Sequence, residues 1–120
     1  MAEHPEQLAR LLKVLAVGTR VRIVQLLKGR ALCVGALSAR LDVTQGAVSQ
    51  HLRILRDAGV VLDDKRGCFV HYRLDEQTLA AWREEIDNLL DPKHGAAQDS
   101  PGATPCAAAG RKRPAASRRT

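Results

Sequence analysis

Aromatic residues are nearly absent: one Phe, one Tyr and one Trp in 120 positions. A nucleic-acid binder that stacks bases needs aromatic platforms, so that mode is excluded. Three cysteines are too few and too scattered for a disulfide scaffold. In a reducing cytoplasm they are free thiols or metal ligands. No apolar run approaches the roughly 18 residues of a spanning helix. No basic-then-apolar leader opens the chain, because Glu3, His4 and Glu6 come first. The expectation is a cytoplasmic protein with no membrane partner. Enzyme signatures are missing too. The chain has no phosphate-cradling glycine loop, no Ser/His/Asp order around a nucleophile turn and no paired acids in an apolar setting. Asp63 and Asp64 fall in a polar turn and read as solvated, so no enzyme is expected.

What is present is ordinary for one globular domain: 45% apolar and 27% charged residues. The net charge of +6 is unevenly placed. Residues 92–120 hold six basic groups and one acid, and contain no Val, Ile, Leu, Met or aromatic residue. Such a segment cannot bury enough apolar surface to offset its ordering entropy. Residues 1–91 are therefore expected to be the folded domain and 92–120 a disordered basic tail. Arg111, Lys112, Arg113, Arg118 and Arg119 would anchor that tail electrostatically to a polyanion, or simply keep it solvated.

Along the folded part, Pro5 suits a first helical turn. Leu8, Leu11, Leu12 and Leu15 follow at helical spacing. Gly18 breaks that run, and Thr19 is placed to cap a second helix carrying Ile23, Val24 and Leu27. Residues 34–41 predict a short helix with Val34, Leu37 and Leu41 inward. Asp42 and Val43 make a tight turn, and Thr44 caps a helix that runs to Ala58 and stops at Gly59. The period then changes to two. Val60–Leu62 predict a short strand, 63–67 a polar turn, and Cys68, Val70, Tyr72 and Leu74 the inward residues of a second strand. A last helix begins near Asp75, and Pro92 closes it. Four helices, a hairpin and a helix make a mainly α protein with the winged helix-turn-helix arrangement.

The helix from Gln45 to Ala58 carries the functional signal. Val48, Leu52 and Leu55 anchor one face. Gln45, Ser49, Gln50 and Arg53 fall on another that bears no acid. Gly46 and Ala47 are small enough to let the backbone approach a surface. A major groove admits one helix, and Gln, Ser and Arg read base edges there. Thr44, Gln45, Ser49 and Gln50 sit at the end that reaches bases in helix-turn-helix proteins. Lys65 and Arg66 at the hairpin tip would straddle a phosphate backbone. A protein-interaction winged helix without DNA binding is the rival reading, and it would not need an acid-free face.

Residues 16–74 resemble the ArsR/SmtB family of bacterial winged-helix regulators. Residues 16–23, AVGTRVRI, are similar to the family's opening ALADPTRLRIL stretch. Residues 48–61, VSQHLRILRDAGVV, resemble its VSxHLxxLxxAGLV signature. Lys65-Arg66-Gly67 and Tyr72-Arg73-Leu74 resemble its wing. The resemblance implies a homodimer that represses transcription at double-stranded operator DNA and releases it on sensing a ligand. It places Gln45, Ser49, Gln50 and His51 on the DNA-reading helix and Lys65 and Arg66 on the backbone. His51 is either that kind of contact or a partly buried structural histidine. The first and last helices form the implied dimer interface. Leu8 and Leu12 fall on the first helix. The stripe Leu79, Trp82, Ile86 and Leu89 on the last helix fits the same use, since a small domain seeks cover for so many large apolar groups.

The inducer is less sharply drawn. Arsenic-sensing members carry ELCVCDLC where this chain has ALCVGALS. Cys33 falls on the first cysteine of that motif, and Gly35 and Ser38 occupy the other two. Thiolates select soft ions such as arsenite, zinc, cadmium or lead. Such a site would have to recruit Cys68 and Cys106 beside Cys33. Members without the motif read SVGEL here, and CVGAL resembles that too, which makes Cys33 a packing residue. Oxidation of a thiol is the other sensing chemistry, and a regulator with no ligand remains open. The family's site on the last helix uses Asp and His, and no histidine occurs there before His94.

Overall fold

The computed structural model describes residues 4–95. They fall in two units divided between Asn88 and Leu89. The expected tail beyond Gly95, including Cys106 and the basic cluster, lies outside the described residues.

Helix α1 spans Pro5–Leu15, with Pro5 in the first turn and Glu6 facing the positive end of the helix dipole. Helix α2 spans Gly18–Leu26. Its N-cap is Val17, with no side-chain cap bond, so Thr19 lies inside the helix and is not the expected cap. The chain then turns at Gly29 into β1, the two residues Leu32–Cys33, and α3, Val34–Leu41. Asp42 closes α3 in the left-handed region (φ 59°), which a short polar side chain tolerates. Its N–H donates to the Ser38 carbonyl at 2.9 Å, and the Ser38 hydroxyl donates to the Val43 carbonyl.

Helix α4 spans Gln45–Asp57. The Thr44 hydroxyl oxygen accepts from the Ala47 N–H at 3.1 Å, the expected cap. At the other end Gly59 N–H donates to the Arg56 carbonyl and Val60 N–H to the Leu55 carbonyl, both at 2.9 Å. This is the paired closure that needs a left-handed residue after the cap, and Gly59 supplies it at φ 85°.

Strand β2 is Val61–Arg66 and β3 is Phe69–Leu74, antiparallel, with Arg66 opposite Phe69. The hairpin is longer and its turn tighter than the sequence suggests. Asp63–Arg66 belong to the ladder, and Gly67-Cys68 alone form the loop. Gly67, at φ 62°, occupies the first loop position, where a primed turn requires glycine. Cys68 is consequently exposed at the turn and not an inward strand residue. Strand β1, unforeseen in the sequence, adds to the far edge of β3, giving the order β1-β3-β2 with Cys33 opposite His71.

Helix α5 spans Glu76–Leu90. Asp75 starts it, accepting from the Gln77 N–H at 3.2 Å and the Thr78 hydroxyl at 3.1 Å. The core joins Ile23 and Leu27 of the α2 segment, Leu37 and Leu41 of α3, Val48, Leu52 and Leu55 of α4, and Val60 and Val61. Leu79 and Trp82 pack against it, yet no α5 residue is fully buried. In the second unit, Leu89 and Leu90 are exposed.

Candidate nucleic-acid interface

Helix α4 divides cleanly. Val48, Leu52 and Leu55 are buried, fixing its roll and depth against α2 and α3. Gln45, Gly46, Ser49, Gln50 and Arg53 are exposed, and none is acidic. Thr44 is exposed as well, but its hydroxyl is already occupied as the cap. The expected reading face is therefore one surface, presented by a rigidly held helix whose N–H groups open toward its N-terminal end.

The wing stands beside it. Lys65 and Arg66 are exposed at the end of β2. Arg66 Nη2 lies 3.6 Å from Asp64 Oδ2, which holds its guanidinium back over the strand. Two residues not among the expected DNA contacts join helix and wing. Arg56 Nη1 meets Asp63 Oδ2 at 3.3 Å. Tyr72 closes a hollow of about 150 Å³ together with Ser49, Leu52, Arg53 and Arg56. Arg56 follows Ser49 and Arg53 at helical spacing, so its place on this side was open to the periodicity. The approach of β3 was not.

His51 is half-buried and engaged. Arg20 Nε–H donates to its Nδ1 at 3.2 Å, while Arg20 Nη1 donates to the Val14 carbonyl at 3.2 Å. With Nδ1 accepting, the neutral ring carries its proton on Nε2. Burial first, and the Arg20 cation second, hold the His51 pKa below its ordinary 6.5. Of the two roles weighed for His51, Nδ1 serves the structural one.

The expected dimer residues divide by exposure. Leu8 is 7% exposed and already covered within the protomer, so it has little area left to offer. Leu12 is 37% exposed. Leu79, Trp82 and Ile86 line an open groove of about 580 Å³ with Leu15 of α1 and Val24 of α2. Among the described residues, Cys33 and Cys68 do not converge. Cys33 is half-buried opposite His71, whereas Cys68 is exposed in the turn three residues before His71. That offset is about 10 Å. Among the described residues no three Cys, His, Asp or Glu side chains cluster as a metal would require.

Comparison with known proteins adds a family. The model described as "Bacterial regulatory protein, arsR family" matches residues 18–62. The arsenical resistance operon repressor of Escherichia coli is 45% identical over 78 residues, covering 64% of this chain and 66% of that protein. The matched stretch thus spans just under two thirds of that relative. The HTH-type transcriptional regulator Rv2034 of Mycobacterium tuberculosis is 44% identical over 77 residues, 64% of this chain and 72% of that protein. Among solved structures, a homodimeric winged helix-turn-helix DNA-binding domain from Mycobacterium bovis superposes with a TM-score of 0.58 at 27% identity, covering 74% of this chain and 86% of that one. With its helix order, its three-stranded wing and these likenesses, the chain is a winged helix-turn-helix protein and belongs to the arsR family of bacterial regulatory proteins.

Proposed function

We propose that this chain is a homodimeric transcriptional repressor that binds double-stranded operator DNA and leaves it on sensing a ligand. The observation that carries the reading is the α4 surface. Gln45, Ser49, Gln50 and Arg53 are all exposed on a helix pinned from behind by Val48, Leu52 and Leu55. Those side chains reach base edges in a major groove, and Lys65 and Arg66 take the backbone beside it. Arg56 extends the cationic side. Two copies are joined through Leu12 and the α5 stripe of Leu79, Trp82 and Ile86. The names of the Escherichia coli repressor and the homodimeric Mycobacterium bovis domain support both halves of this reading.

Residues 1–91 are the DNA-binding and dimerising domain in this reading, and 92–120 a basic appendage. The protein works in the cytoplasm, where its DNA is, and has no catalytic role. No helix of the described residues is long and apolar enough to cross a membrane. An inducer that is arsenite or a soft divalent metal would have to draw Cys68 and Cys106 to Cys33, because Cys33 and Cys68 lie apart in the structure.

The test is a mobility shift on the DNA upstream of the chain's own gene. Ser49→Ala with Gln50→Ala is expected to abolish the shift while the thermal midpoint stays unchanged. A retained shift refutes this placement of the reading helix. A wild type that shifts no DNA but still dimerises points to the protein-interaction module.

A further inference from the structure

A cleft of about 690 Å³ lies where α1, the end of α4 and α5 meet. That is the size of a small-molecule site. Its apolar lining is Leu11 and Val14 of α1, Ile54 of α4 and Trp82 of α5. Ile54 is 37% exposed, a large apolar side chain left partly uncovered. The charges in the cleft are unmatched. Arg10, Asp57 and Glu85 all line it, two carboxylates against one guanidinium. Among the described residues the ion pairs are Arg56–Asp63 and Arg66–Asp64, so none of these three is paired. Glu85 is half-buried. A carboxylate drawn partly out of water with no partner costs stability, and a cation from outside offsets that cost.

Two further features carry the same sign. Asp57 is the last residue of α4 and Ala58 its cap, and both line the cleft, so the negative end of the helix dipole lies there. The face of an indole ring also attracts a cation. Trp82 and Glu85 are three residues apart on α5, which puts ring and carboxylate on one side of the helix. A bare metal ion does not fit, because among the described residues no three Cys, His, Asp or Glu side chains cluster. An anion does not fit a lining with one negative charge in excess. We infer that this cleft binds an organic cation with an apolar or aromatic body. The charged head lies among Asp57, Glu85 and the Trp82 ring, and the body lies along Leu11, Val14 and Ile54.

Occupancy of the cleft is then the signal that releases DNA. This second step rests on the operator-binding reading above; the binding itself does not. The guest touches α1, α4 and α5 at once, so its contacts depend on how α4 lies against the other two. A ligand shifts an equilibrium only by such a difference between states. Trp82 also lines the α5 groove assigned above to the dimer, so a shift of its ring is felt on both sides of α5.

The experiment titrates the full chain with benzyltrimethylammonium, and with neopentylbenzene, which has the same shape without the charge. Trp82 is the only tryptophan, so its fluorescence reports on the cleft directly. The cation is expected to change that emission saturably. Glu85→Gln and Asp57→Asn should each weaken its binding about fivefold, the effect of one unit charge at contact distance in water. Both should leave neopentylbenzene binding as before. Arg10→Met should tighten the cation by roughly the same factor, a gain that damage to the fold does not produce. In a mobility shift on upstream DNA, the cation should weaken the wild-type band, and a higher concentration should be needed for Glu85→Gln. An emission that does not respond overturns the site, as it would if a second copy of the chain covered the cleft. Carboxylate variants that bind the cation like the wild type also overturn it, and so does an equal loss of neopentylbenzene. Saturable binding with an undiminished DNA band overturns the release step alone. If the untreated wild type shifts no DNA, the operator reading fails and the release step falls with it, while the emission titrations still decide the site.

Discussion

Arg20 and His51, 31 positions apart, are joined by a hydrogen bond of 3.2 Å from Nε–H to Nδ1. The same guanidinium holds the Val14 carbonyl at 3.2 Å. One arginine of α2 thus ties the end of α1 to the middle of α4. The bond exists only while His51 is neutral. A protonated ring has no acceptor at Nδ1 and faces a cation.

The sign of the pH effect follows. The unfolded chain takes up this proton near 6.5, and the folded chain only at lower pH. Between the two values the unfolded state binds more protons, so stability falls as pH falls through that window. Above about 6.5 His51 adds no slope. Denaturation midpoints of the wild type are expected to drop on acidification below that point, by more than those of His51→Gln. In Arg20→Met, an NMR titration should find the His51 pKa closer to 6.5, because burial alone then holds it down. An unchanged titration would remove Arg20 as a cause.

Gly59 and Gly46 are expected to respond oppositely to alanine. Gly59 sits at φ 85°, and a Cβ there meets Thr78 Oγ1 at an ordinary 3.5 Å. The cost is backbone strain, about 1 kcal/mol. Gly59→Ala should lower the urea midpoint without changing the slope. Gly46 lies in helical conformation near the start of α4, and nothing lies within 4 Å of its added Cβ. Gly46→Ala should stabilise by about 0.5 kcal/mol. If the start of α4 approaches DNA as proposed, the added methyl group should nevertheless weaken operator binding. Stabilisation with undiminished binding would take the start of α4 away from the DNA.

These residues also show what the sequence disclosed. Helices α1 to α5 are legible because Leu, Ile and Val recur at three and four, and because Thr44 and Gly59 punctuate α4 at both ends. The exposure of the proposed reading face is legible for the same reason: once Val48, Leu52 and Leu55 point inward, Gln45, Ser49, Gln50 and Arg53 must point out. Strand β1 is not legible. Two residues, Leu32 and Cys33, carry no period, and their pairing with β3 is purely tertiary. Asp63–Arg66 read as a turn because all four are polar, yet a ladder is made of main-chain groups and tolerates polar side chains on its outer positions. Moving the loop to Gly67-Cys68 turned Cys68 from an inward residue into an exposed one. The Arg20–His51 bond leaves no local trace.

The groove along α5 predicts assembly. Helix α5 has no fully buried residue, although Leu79, Trp82 and Ile86 line a groove with Leu15 and Val24. Ile86→Asp is expected to leave helix content intact and to shift the sedimentation coefficient to that of a monomer. Leu8→Ala serves as the contrast. Leu8 is covered within the protomer, so its truncation should cost about 2 kcal/mol of stability or more and leave the dimer contacts in place. A monomeric wild type would refute the interface outright.

Asp63 is expected to restrain DNA affinity. Its carboxylate holds Arg56 at 3.3 Å on the wall between α4 and the wing, and both side chains are nearly half exposed. Pairs this open contribute between zero and about 1 kcal/mol, and salt screens them further. Asp63→Asn should therefore move the thermal midpoint little. The same change removes a negative charge from the surface proposed to face phosphates and frees the Arg56 guanidinium to meet one. Each additional phosphate neutralised steepens the dependence of log affinity on log salt by about one. Asp63→Asn should thus bind operator and unrelated DNA more tightly at low salt, with a slope steeper by about one and a lower ratio of specific to non-specific binding. Arg56→Gln should move affinity and slope the other way. If neither variant changes the slope, Arg56 and the hollow it lines with Ser49, Arg53 and Tyr72 face solvent in the complex, and the wing meets DNA through Lys65 and Arg66 alone.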